Sequence, residues 1–174
     1  MSLCLFGFVL IGTGCRSTPK PGVDLASNLA AAEIPTTEWR PITFVDDPKL
    51  RESTGPMDVE SAPDFSKTDS GLQYRILRSS NGPKPTASST VSVNYRGWLG
   101  GGKVFDSSYE NGQPTTFPLN GVIAGWTEGM QLVGEGGMIE LWVPSRLGYG
   151  AAGSPGSIPA HSDLHFIVEL EDVR

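Results

Sequence analysis

Past residue 15 the chain has no cysteine; its two, Cys4 and Cys15, both lie near the N-terminus. That excludes a disulfide framework and a thiolate metal site from the rest of the chain. Long apolar runs are also missing. Residues 3–11 are interrupted only by Cys4 and Gly7, but they fall well short of the roughly 20 apolar residues that span a bilayer. Basic charge is in deficit. The 13 Lys and Arg against 19 Asp and Glu give a formal net charge of −6, which argues against nucleic acid as a partner. The nucleophile pattern Gly-x-Ser-x-Gly is absent too.

What the chain has in quantity is glycine and proline, 22 and 14 of its 174 residues. Many turns and a β-rich domain follow, rather than a helical bundle.

Residues 3–11 have the length of a signal-peptide apolar core. Gly12-Thr13-Gly14 and then Cys15 follow. This resembles a bacterial lipoprotein signal, whose cysteine becomes the lipidated first residue. The expectation is a signal over residues 1–15 and export to the bacterial cell envelope, with a membrane anchor through Cys15. The alternative is a plain cleaved signal, giving a secreted or periplasmic soluble protein.

Residues 16–68 show no sustained helical or strand period and are rich in Pro, Ser, Thr, Asp and Glu. They read as an extended, mostly disordered linker arm. A short helix near residues 25–33 and an apolar island at Trp39, Ile42, Phe44 and Val45 are its only features.

Residues 69–174 form the folded domain. Residues 72–77 have strand character, and Val91, Val93 and Tyr95 alternate with Ser92 and Asn94. Gly100-Gly101-Gly102 makes a turn before Val104-Phe105. Residues 115–119 form a further short strand, which Pro118 places at an edge or bulge. Trp126, Met130 and Val133 have the spacing of a two-turn helix. Ile139, Leu141 and Val143 alternate, as do Leu164, Phe166, Val168 and Leu170. Together these predict an α+β domain: a curved antiparallel sheet of five to six strands wrapped on one short helix.

Two tempting motifs fail. Gly97 to Lys103 matches the first part of a phosphate loop, but Val104 stands where Ser or Thr is needed, and a strand follows instead of a helix. His161, Asp163 and His165 would share one strand face, yet they lack a further ligand. They read as solvated outer-face residues. Neither a metal nor a cofactor is expected.

A scattered set remains: Tyr95, Phe105, Asp106, Val122, Ile123, Trp126, Tyr149 and Phe166. If they converge, they form a small apolar cup with a few hydrogen-bonding groups at its rim. Such a cup suits a prolyl peptide better than a phosphate or a sugar.

The motifs that carry these residues strongly resemble the FKBP-type peptidyl-prolyl isomerases. They are Val93-Asn94-Tyr95-Arg96-Gly97-Trp98-Leu99, Gly102-Lys103-Val104-Phe105-Asp106-Ser107-Ser108, Phe117-Pro118-Leu119, Gly121 to Gly129, Leu147-Gly148-Tyr149-Gly150 and Ile158-Pro159. They occur in the family's order across residues 72–173. The resemblance implies isomerisation of X–Pro bonds in proline-containing polypeptides, binding of macrolide inhibitors, and no cofactor. It implies catalytic roles for Asp106, Tyr149, Phe105 and Trp126, and substrate binding by Tyr95, Val122, Ile123, Ile158 and Phe166. Trp126 would be the floor, while the Ile123 N–H and the Tyr149 hydroxyl would meet substrate carbonyls. Thr115, Ser154 and Ala160 depart from the family at the rim. Many bacterial relatives carry a helical dimerisation segment upstream; no such segment is visible here, so a monomer is expected. The alternative function is a non-catalytic prolyl-peptide-binding or chaperone module anchored at the membrane.

Overall fold

A computed structural model describes residues 48–58 and 64–174. The described residues fall within one compact unit that begins at Phe44. Cys4, Cys15, the helix near 25–33 and the apolar island of the arm lie outside the described residues.

The centre of the domain is one long strand, β3 (Thr90–Leu99). Its alternation decides which residue faces where. Val91, Val93 and Tyr95 point to the main core, while Arg96 and Trp98 point to the opposite face. The C-terminal strand β7 (Leu164–Val173) pairs with β3 along its whole length. Next comes β6 (Met138–Val143), then β2 (Gln73–Arg78), then the two-residue β1 (Ser66–Lys67). The other edge of β3 is shared by β4 (Val104–Ser107) and β5 (Thr115–Pro118). All pairs are antiparallel and the sheet is curved. It has seven strands, one more than the upper expectation, because Ser66 and Lys67 also pair. Among the described residues Pro118 ends a strand that pairs with β3 alone, consistent with its lack of an N–H.

The helix α1 (Ala124–Met130) begins two residues earlier than the sequence pattern suggests. It ends at Met130 in a tightened turn, with Leu132 N–H bonding Gly129 O and Val133 N–H bonding Met130 O. Val133 still reaches the core. Two glycines bring the helix down onto the sheet. A Cβ at Gly125 would stand 2.5 Å from Val143, and one at Gly129 would stand 2.7 Å from Leu141. That close approach sinks Trp126, 4% exposed, into the concave side of the sheet.

The other face of the sheet is also covered. Leu50, within a 3-10 turn (Pro48–Arg51), packs with Leu77, Trp98, Met138 and Ile167 as a second apolar cluster. Residues 48–58 and 64–68 fall in the segment expected to be a disordered arm, yet they lie on the sheet. Backbone bonds join Asp58 N–H to Leu77 O at 2.8 Å and Thr68 N–H to Leu72 O at 2.9 Å. The second cluster also corrects the reading of His165 as a solvated residue. Its ring lies 5.7 Å from that of Trp98 and 4.8 Å from that of Trp142. The three occupy one rung across β6, β7 and β3. Burial lowers the His165 pKa to about 4, partly offset by Asp163. His161 and Asp163 are exposed and precede the strand, so the three do not share a strand face.

Candidate functional site: an aromatic cup

On the concave side lies an open cavity of about 430 Å³, lined by Tyr95, Phe105, Asp106, Phe117, Gly121, Val122, Ile123, Trp126, Tyr149 and Phe166. Strands β3, β4, β5 and β7 supply the walls and α1 supplies the floor. Val122 and Ile123 enter from the turn that leads into the helix.

Trp126 is the geometric centre. The rings of Tyr95, Phe117 and Phe166 meet it edge-on at 5.2, 5.7 and 5.3 Å, with interplanar angles of 89°, 85° and 81°. Phe105 meets Phe166 at 5.6 Å and 90°. Edge-on contacts place the positive rim of one ring on the negative face of the next, a favoured arrangement. They also hold the rings fixed, so the cup exists before any ligand arrives. Gly97 makes room for its wall: a Cβ there would lie 2.7 Å from the rings of both Phe105 and Phe166.

Polar groups are few and mostly at the mouth. The Tyr95 hydroxyl donates to Asp106 Oδ2 at 2.6 Å. Burial, then this bond to the carboxylate, raises the Tyr95 pKa far above its ordinary value. The phenol therefore stays a donor at any physiological pH. Tyr149 is 43% exposed at the edge. The Ile123 carbonyl receives the Trp126 and Thr127 N–H groups; among the described residues its own N–H donates no bond. In the floor, Trp126 Nε1 is buried and has no hydrogen-bond partner among the described residues.

Eight of the nine residues predicted from the sequence thus converge on one cavity. The exception is Ile158. The paired bonds Ser154 N–H to Ile158 O and Ile158 N–H to Ser154 O, at 2.8 and 2.9 Å, fold its loop back on itself. Ile158 is then 6% exposed in the core, and it borders a neighbouring depression with Leu99, Lys103 and the 152–159 loop. Phe117 and Gly121 line the cup as well, beyond the residues expected from the sequence. Phe117 lies within both a predicted strand and a family-like motif, and its alternation with the outward Thr116 and Pro118 places it on the inner face. Thr115, Ser154 and Ala160, expected at the rim, are not among the cup's lining residues. Ser154 borders the neighbouring depression.

Comparison with known proteins gives a consistent result. Residues 82–171 match the family described as FKBP-type peptidyl-prolyl cis-trans isomerase. The chain is 51% identical over 109 residues to FkpA of Escherichia coli, described as an FKBP-type peptidyl-prolyl cis-trans isomerase, covering 62% of this chain and 40% of that protein. It is 44% identical over 115 residues to the peptidyl-prolyl cis-trans isomerase Mip of Coxiella burnetii, covering 66% and 50%. The crystal structure of Escherichia coli FkpA superposes with a TM-score of 0.62 at 42% identity, covering 73% of this chain and 55% of that one. A peptidyl-prolyl isomerase structure from Pseudomonas syringae pv. tomato gives a TM-score of 0.60 at 38% identity, covering 64% and 81%. The chain spans 40% to 50% of the length of these two curated relatives.

Proposed function

The chain belongs to the FKBP-type peptidyl-prolyl cis-trans isomerase family, and from that premise we propose that it accelerates rotation about X–Pro bonds in polypeptides. The observation that carries this reading is the preformed aromatic cup: Trp126 under a ring of Tyr95, Phe117 and Phe166, with most of its hydrogen-bonding groups at the mouth.

The barrier to X–Pro rotation, about 18–20 kcal/mol, comes from the partial double bond of the amide. Uncatalysed exchange takes tens of seconds or longer. The planar amide has separated charge that water stabilises, whereas the twisted amide has lost conjugation and needs water less. A dry aromatic cup therefore raises the planar form relative to the twisted one. A ten-thousandfold acceleration requires only about 5.4 kcal/mol of such differential stabilisation.

In this reading the prolyl ring rests on Trp126 between Phe105 and Phe166. The flanking carbonyls accept from the Ile123 N–H and the Tyr149 hydroxyl. Asp106, held by Tyr95, sets the field at the mouth. Val122 completes the wall, and Ile158 supports the adjoining loop from the core. No covalent intermediate is invoked. The same cup offers a place for a macrolide inhibitor.

We place the protein in the bacterial cell envelope as a monomer, exported by residues 1–15 and lipidated at Cys15, with the isomerase domain carried on the arm. The apolar run at 3–11 and the position of Cys15 support the export and the anchor. Among the described residues no helix is long and apolar enough to cross a membrane. A mass measurement of the mature N-terminus tests the anchor.

A protease-coupled assay on a prolyl tetrapeptide, with and without an FKBP-directed macrolide, tests the activity. Macrolide-sensitive turnover is the expected result. Saturable peptide binding without rate enhancement would instead identify a prolyl-peptide-binding module.

A further inference from the structure

The face of the sheet turned away from the cup carries a strap, residues 48–58. Leu50 anchors it, 5% exposed in the second apolar cluster. Its backbone is gripped by three charged side chains. Arg96 Nη1 donates to Lys49 O at 2.6 Å, the Gly55 N–H donates to Glu169 Oε1 at 2.9 Å, and Arg78 Nη1 donates to Pro56 O at 3.0 Å. A Cβ at Gly55, the middle grip, would stand 2.5 Å from Glu169 Oε2 and 2.8 Å from Arg78 Nη1, so those two side chains would have to shift.

Two of the groups that grip the strap also grip Tyr109. The Tyr109 hydroxyl donates to Glu169 Oε1 at 2.5 Å, and the Arg96 guanidinium carbon lies 5.5 Å from the centre of its ring. Tyr109 opens the 3-10 turn (Tyr109–Asn111) just beyond β4. Three residues before it, Asp106 faces the cup. Between them Ser108 is bound to the Tyr95 backbone: Ser108 N–H donates to Tyr95 O at 3.0 Å, and Tyr95 N–H donates to Ser108 Oγ at 2.8 Å. Residues 106–109 are thus fastened on the cup side through Tyr95 and on the strap side through Glu169.

Resting on the isomerase reading, we propose that the strap is a positioning element for the reaction. Docked, it completes the environment of Glu169 and Arg96; these fix Tyr109, and Tyr109 fixes the segment that presents Asp106 to the cup. Glu169 and Tyr109 are positioning residues, and neither lines the cavity. The link is stiff because Glu169 is buried, with Arg78 Nη2 3.0 Å from its Oε2. A buried carboxylate that loses one of its donors rearranges toward those that remain.

The test uses the full chain. Leu50→Asp puts a charge where none can be buried unpaired, and new tryptic cleavage after Arg51 reports release of the strap. In Leu50→Asp and in Tyr109→Phe, kcat should fall about tenfold while KM stays within about twofold, as expected when a reacting group is misplaced but binding surface is kept. NMR signals of Asp106 and Tyr95 should shift in both variants, and the double variant should add nothing further, because the two changes act on one link. A released strap with unmoved Asp106 signals and unchanged kcat would overturn the proposal. So would additive losses in the double variant. If Leu50→Asp does not fold, Gly55→Ala carries the same comparison, with the same NMR shifts expected. A wild-type chain without turnover would refute the isomerase reading; the Asp106 signals would then decide the positioning link by themselves.

Discussion

The Tyr95 hydroxyl donates a 2.6 Å hydrogen bond to Asp106 Oδ2, and it does so across the antiparallel pair in which Gly97 faces Asp106. One ring thus serves two surfaces: it packs edge-to-face with Trp126, and its hydroxyl holds Asp106, the only carboxylate among the described residues that line the cup.

Tyr95→Phe separates those roles. Asp106 is exposed, so water replaces the lost donor and stability should fall by no more than about 1.5 kcal/mol. Turnover should fall about tenfold, as expected for an interaction that matters most in the transition state. The prolyl-peptide assay, paired with urea denaturation, gives both quantities. Unchanged turnover would remove the Tyr95–Asp106 pair from the mechanism.

Gly97→Ala should narrow the cup without adding or removing any polar group. The added methyl would meet the rings of Phe105 and Phe166 at 2.7 Å, so one wall must shift. Overpacking of this kind costs about 1–3 kcal/mol. Peptide affinity by calorimetry should drop by more than stability does, because the displaced rings are the ones that hold the proline. Equal affinity in the variant would show that those walls are not in contact with the ligand.

Gly129→Ala tests how the floor is set. Alanine is the better helix former by about 1 kcal/mol, yet its Cβ would lie 2.7 Å from Leu141. We expect net destabilisation, a lower Tm, and a change in Trp126 environment visible by near-ultraviolet circular dichroism. A rise in Tm would mean that the helix can lift off the sheet freely.

The pH profile should have two arms. For His165 burial lowers the folded pKa to about 4, from 6.5 unfolded. The unfolded state therefore binds the extra proton first. Stability from this group is complete above pH 6.5 and is lost as pH falls toward 4, by at most about 3 kcal/mol. His165→Phe should flatten this acid arm. Tyr95 and Tyr109 act at the other end. Burial first, then bonds to Asp106 and Glu169, raise both pKa values well above 10. Their contribution is complete below pH 10 and is lost above it. Urea midpoints from pH 4 to 11 check both arms; an acid arm that persists in His165→Phe would assign the effect elsewhere.

The sheet, the helix and most of the cup were legible because each rests on a local pattern. Alternation in residues 91–95 and 164–170, and the order of the motifs, located six of the seven strands and eight cup residues. What was not legible depends on partners distant in sequence. Leu50 belongs to a stretch without periodicity, and it is held by Arg96, Glu169 and Arg78 through its neighbours' backbone groups. His165 alternates outward correctly, but its outward face is filled by Trp98 and Trp142. Ile158 sits in the expected motif, yet a two-bond loop closure directs it to the core.

The edges of the sheet have a further consequence. One side ends in β1, only two residues long, and the other is broken where β3 passes from β4 to β5. Neither offers an unbroken row of free amides and carbonyls to an incoming extended chain. On the proposed reading of the cup, a partly unfolded polypeptide that reaches it finds no such template for aggregation beside it.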